Sequence, residues 1–111
     1  MTKAGIAFER LIRKSVSSGT KDIHVSISLE AIKASAAPGV SNQTEISGLS
    51  AFEVLEIVRL CGQSRSISGI DLVDYNPEIE SKRTNNLAVK LIQTYLNALP
   101  DPPLEKVKQK Q

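Results

Sequence analysis

The sequence predicts an α/β domain in the order α-β-α-β-α. Two observations carry this. Two short segments with strand patterning, Asp22–Leu29 and Ser66–Val73, are separated by a helix with clear capping signals. Two further helix-patterned segments flank them, over 4–17 and 81–98. Two strands joined through a helix imply a right-handed parallel crossover.

The first helix rests on Phe8, Leu11, Ile12 and Val16 at helical spacing, with Glu9 and Arg13 placed to pair at i,i+4. Ser17, Ser18 and Gly19 end it. In the strand that follows, Ile23, Val25, Ile27 and Leu29 alternate with His24, Ser26 and Ser28, giving one aliphatic and one small or polar face. Glu30 continues the polar row. His24, the one histidine, reads as a surface or hydrogen-bonded residue rather than a metal ligand.

Residues 31–49 lack periodicity and contain Pro38-Gly39, a turn signal. A loop of this length at the end of a strand is expected to be functional or disordered. Ser50 and Glu53 form the S-x-x-E capping box of the second helix, expected over 51–61, with Leu49 and Val54 at staple positions. Gly62 suits the position just past its C-terminus. The second strand, SISGIDLV, is largely apolar, as a strand buried on both faces would be. Asn76-Pro77 stops it. In the last helix, Leu87, Ala88, Leu91, Ile92, Tyr95, Leu96 and Leu99 form a wide apolar stripe. The domain is expected over 1–99, with a polar, flexible tail over 100–111.

Composition excludes several function classes. The 111 residues allow one domain, and a net charge of +2 is too small to imply a nucleic-acid or membrane partner. Basic residues do concentrate in the first helix, where Arg10, Arg13 and Lys14 sit beside Glu9. No apolar run reaches the ~18 residues of a membrane span. The single cysteine, Cys61, excludes an internal disulfide and a cysteine-based zinc cluster and reads as a small buried hydrophobe. A cytoplasmic setting is expected.

Three segments, in order, resemble one enzyme family. VSISLEAIKASAAPGVS is similar to an S-[IF]-D-x-D strand followed by a P-G turn. GLSAFEVLEIVRLC is similar to a G-[LG]-[ST]-x-x-E helix start. GIDLVDYNPEIESKRTNNLAVKLI is similar to D-[LV]-[VA]-E-x-N-P, an acidic stretch and T-x-x-L-A. Together they resemble the C-terminal part of the ureohydrolases: arginases, agmatinases and formimidoylglutamases. The resemblance runs from Asp22 to Leu96, and the A-P-G-V-S turn leans towards formimidoylglutamases.

The resemblance implies a partial doubly wound parallel sheet. In the family it also implies manganese-dependent hydrolysis of a guanidino or formimino carbon–nitrogen bond by a metal-bridging hydroxide. The family's two strand aspartates fall on Ser28 and Glu30. Ser28 has no charge, and Glu30 adds a methylene, a displacement on the order of an ångström that metal geometry tolerates poorly. The family's substrate-holding glutamate falls on Asp74. Its other metal ligands come from strands upstream, where this sequence has one helix.

No catalytic residue, no metal and no cofactor are therefore expected for the isolated chain, with Ser28 and Glu30 as degenerate metal positions and Asp74 as a substrate position by resemblance only. A two-stranded parallel sheet has two open edges, so self-association or a partner chain completing the sheet is expected. The main functional expectation is a truncated, non-catalytic ureohydrolase-like domain that acts through protein association. The alternatives are one half of a split manganese-dependent C–N hydrolase, and a small α/β module binding an acidic partner through Arg10, Arg13 and Lys14.

Overall fold

A computed structural model describes residues 1–44 and 47–100. Beyond Pro100, the expected tail lies outside the described residues. Helix α1 spans Lys3–Ser17, strand β1 Ile23–Ser28, helix α2 Ala51–Gln63, strand β2 Ile67–Val73 and helix α3 Lys82–Ala98. A short 3₁₀ turn, Leu29–Ala31, follows β1. The order is the expected α-β-α-β-α. β1 and β2 pair in parallel as a two-stranded sheet. No helix among the described residues is long and apolar enough to cross a membrane.

The capping signals of α2 act as read. The Ser50 N–H donates to Glu53 Oε1 at 2.9 Å, and the Glu53 N–H donates to Ser50 Oγ at 3.1 Å. The helix runs two residues further than expected, through Gly62 to Gln63. Gly62 is not a terminator: a Cβ there would lie 2.5 Å from the Tyr95 carbonyl oxygen and 2.7 Å from Ala98 Cβ. Its role is to let α2 and α3 approach closely.

The core lies on one face of the sheet. Ile27, Leu29, Val54, Val58 and Leu91 are buried there, with Val25, Ile70 and Leu72 packed against them. The described residues of the segment 31–49, which are 31–44 and 47–49, form an ordered, partly buried loop. Ile32 and Lys33 form parallel bridges with Leu49 and Thr44, and Ile32, Ala37 and Val40 are fully buried.

The helices flanking this core bury less than their patterns promise. In α1 only Gly5 is buried, while Leu11 is 60% exposed. Gly5 sits against α2, where a Cβ would strike the Glu56 carboxylate. In α3, Leu91 and Thr84 are buried, but Ile92, Leu96 and, just past the helix end, Leu99 are exposed.

β2 also departs from expectation. Only its first residue, Ile67, is buried. In the paired register, Ser26 lies opposite Asp71 and Ser28 opposite Val73. Paired residues in a parallel ladder project to the same side, so the sheet has one apolar face and one open, largely polar face. A strand buried on both faces would have no place for Asp71.

Candidate functional site at the ends of the strands

Strand alternation places His24, Ser26 and Ser28 in a row on the open face, and β2 sets Asp71 beside them. The Asp71 carboxylate joins the strands. Ser26 Oγ donates to Asp71 Oδ1 at 2.6 Å, and His24 Nε2 lies 2.5 Å from Asp71 Oδ2. The Ser26 hydroxyl, and then His24, hold the Asp71 carboxyl below its ordinary value. This is not a nucleophilic triad, in which the histidine stands between serine and carboxylate to take the hydroxyl proton. Here the carboxylate stands between them, and the serine hydroxyl donates its hydrogen bond to the carboxylate and not to the histidine. The cluster is a cross-strand tie on a partly exposed face.

His24 is thus a hydrogen-bonded surface residue, as its place on the polar row implies. Asp71 is the residue that sequence reasoning missed. Its signal was a lone carboxylate in the apolar run SISGIDLV.

At the C-terminal end of the sheet, two of the three positions singled out in the sequence meet. Ser28 Oγ donates to Asp74 Oδ2 at 2.5 Å and accepts from the Glu30 N–H at 3.2 Å, capping the 3₁₀ turn. The Glu30 side chain does not join them. Its Oε2 accepts from the Asn42 N–H at 3.0 Å and from Asn42 Nδ2 at 3.2 Å. Asn42 is a second residue that the sequence did not single out, because the segment around it carries no periodicity.

Loop 38–44 is held from three sides. The Asn76 N–H donates to the Gly39 carbonyl at 2.6 Å. The Gly39 N–H donates to Thr84 Oγ1 at 2.7 Å, and Thr84 Oγ1 in turn donates to Glu80 Oε1 at 2.7 Å. Glu80 thereby caps α3, accepting also from the Arg83 and Thr84 N–H groups. The Arg83 N–H, followed by the Thr84 hydroxyl, holds the Glu80 carboxyl below its ordinary value. Gly39 is required by this packing: a Cβ would fall 2.1 Å from the Glu80 carbonyl oxygen.

The sequence model of the arginase family matches residues 1–97. The chain belongs to the arginase family. The match takes in α1, which the motif resemblance had left outside. An arginase from Entamoeba histolytica, solved in complex with L-ornithine, is 23% identical with a TM-score of 0.76, over 85% of this chain and 31% of that one. A Trypanosoma cruzi formiminoglutamase, solved with manganese, is 25% identical with a TM-score of 0.71, over 85% and 33%. A Bacillus subtilis arginase is 23% identical with a TM-score of 0.69, over 82% and 33%. A search of curated proteins finds no match. The chain spans about a third of the arginase-family structures it matches, so its α/β fold is a part of theirs.

A divalent manganese ion needs several oxygen donors aimed at one point. This arginase-family segment does not offer them. The Ser28 hydroxyl donates a hydrogen bond to Asp74, and the Glu30 carboxylate is turned to Asn42. Among the described residues, no three His, Cys, Asp or Glu side chains converge. The residues present therefore do not fit a manganese site by themselves.

Proposed function

We propose that this arginase-family chain is a non-catalytic ureohydrolase-like domain that acts through protein association. One observation carries the reading. At the strand end where the family pattern has carboxylates, Ser28 is an uncharged donor to Asp74, and Glu30, in the 3₁₀ turn that follows the strand, binds Asn42 instead. Association is supported by the two-stranded sheet, in which each strand has an unpaired edge. Another copy or another chain completes the sheet there. A cytoplasmic setting belongs to the same proposal.

The test is light scattering on the purified chain, with metal content read on the same peak. The expected result is a metal-free species heavier than the 12.0 kDa chain. A stable monomer at high concentration overturns association. A complex with a second polypeptide that holds manganese and hydrolyses a guanidino or formimino compound overturns the non-catalytic reading in favour of a split enzyme.

A further inference from the structure

Ser28 ends β1, and Asp74 directly follows β2. The two are far apart in sequence, and their contact closes the strand ends against each other. Asp74 has φ of +68°, and it is the one non-glycine with positive φ among the described residues. That region is costly for most side chains and least so for Asn and Asp. The backbone reversal at Asp74 delivers Asn76 to the loop. Its N–H reaches the Gly39 carbonyl, and its Nδ2 reaches Ser41 Oγ at 3.3 Å. From the 3₁₀ turn after β1, Glu30 holds Asn42.

We propose that Ser28 and Asp74 form a conformational latch. Their hydrogen bond holds Asp74 in the left-handed conformation, and through that turn it docks loop 38–44 onto the strand ends. The identities of the two residues fit each other. A glutamate at 74 would carry its oxygens a methylene past Ser28 and would lose the tolerance of aspartate for positive φ. An aspartate at 28 would put two carboxylates in contact, and like charges at that range do not both ionise readily. The two departures from the family motif at Ser28 and Asp74 thus meet in one hydrogen bond that fastens the strand ends. The latch concerns the conformation of the single chain and holds whether or not the chain associates.

Native-state hydrogen exchange of the full chain, read by NMR at the Gly39, Asn42 and Asn76 amides, tests the latch. Ser28→Ala and Asp74→Gly each speed exchange at Gly39 and Asn76 by roughly tenfold, the loss of one hydrogen bond to a charged group. The double variant exchanges no faster than the quicker single variant, because both remove the same bond. Asp74→Asn keeps an acceptor oxygen and stays within about twofold of the parent. Unchanged loop exchange in Ser28→Ala overturns the latch, and so does a double variant whose acceleration is the product of the singles. If Asp74→Gly does not fold, Ser28→Ala and Asp74→Asn decide the matter. An asparagine variant as fast as Ser28→Ala refutes the proposed acceptor.

Discussion

Helix α1 carries a clear apolar periodicity and buries one residue, Gly5, whereas residues 31–49 carry none and bury Ile32, Ala37 and Val40. Both segments flank β1 along the chain. Periodicity describes how apolar groups are distributed around an axis. Burial depends on whether another surface meets that axis. α1 meets α2 along one narrow line, at Gly5 and the Glu56 carboxylate. The 31–49 segment is folded back on itself by the bonds from the Lys33 N–H to the Leu49 carbonyl and from the Ala34 N–H to the Thr44 carbonyl, at 2.9 and 2.8 Å. These bonds turn its scattered apolar residues inwards together.

The sharpest way to break the comparison is truncation on each side. Ile32→Ala should cost about 2–5 kcal/mol in equilibrium denaturation, the range for a fully buried aliphatic side chain. Leu11→Ala, at a site 60% exposed, should stay within about 0.5 kcal/mol. Equal losses would mean that α1 is as much a part of the core as the loop. Cys61 offers a second readout: burial pushes its thiol up to about 12. A thiol reagent at neutral pH should label it only on unfolding, and faster in Ile32→Ala than in Leu11→Ala.

The two glycines sharpen the comparison. Gly39→Ala drives a Cβ into the Glu80 backbone carbonyl, which has no freedom to retreat, and should cost about 1–3 kcal/mol. Gly5→Ala meets the end of the flexible Glu56 side chain. Its loss should be under about 1 kcal/mol, because alanine recovers helix propensity as the carboxylate swings away.

Each region is also held by a threonine bonded to a glutamate, Thr2 at the start of α1 and Thr84 of α3 against Gly39, and these differ in kind. Thr84 is fully buried and accepts the Gly39 N–H, so Thr84→Val leaves that donor unpaired and should cost about 1–3 kcal/mol. Thr2 caps α1 through the Gly5 N–H, and Thr2→Val should cost about 1 kcal/mol.

The smallest effects are in the titrations. The Thr2 side chain is the largest cause that holds Glu56 below its ordinary value, so Thr2→Val should raise it by removing that cause. Glu80 is held down first by the Arg83 N–H, so Thr84→Val should return it only in part. Both carboxylates are depressed in the folded state. Their small stabilisation is therefore complete above pH 4.5 and is lost as pH falls through the lower folded values. NMR titration of each carboxyl checks both statements, and equal recovery at the two sites would contradict them.

What the sequence determined by itself was local. The capping box at Ser50 and Glu53, the alternation of β1, the strand–helix order and the family motifs all follow from neighbours a few residues apart, where chain geometry alone relates the side chains. The departures from the motif at Ser28, Glu30 and Asp74 were also legible there. Tertiary structure alone decided what those residues touch. It paired Ser28 with Asp74, gave Glu30 to Asn42, set Asp71 between His24 and Ser26, and made Gly62 a contact point where a helix end was expected. The Ser28 and Asp71 contacts depend on the parallel register of β1 with β2, the Gly62 contact on the close approach of α2 to α3, and the Glu30 contact on the return of the loop over the 3₁₀ turn. Those contacts join residues distant along the chain, and no local pattern encodes them.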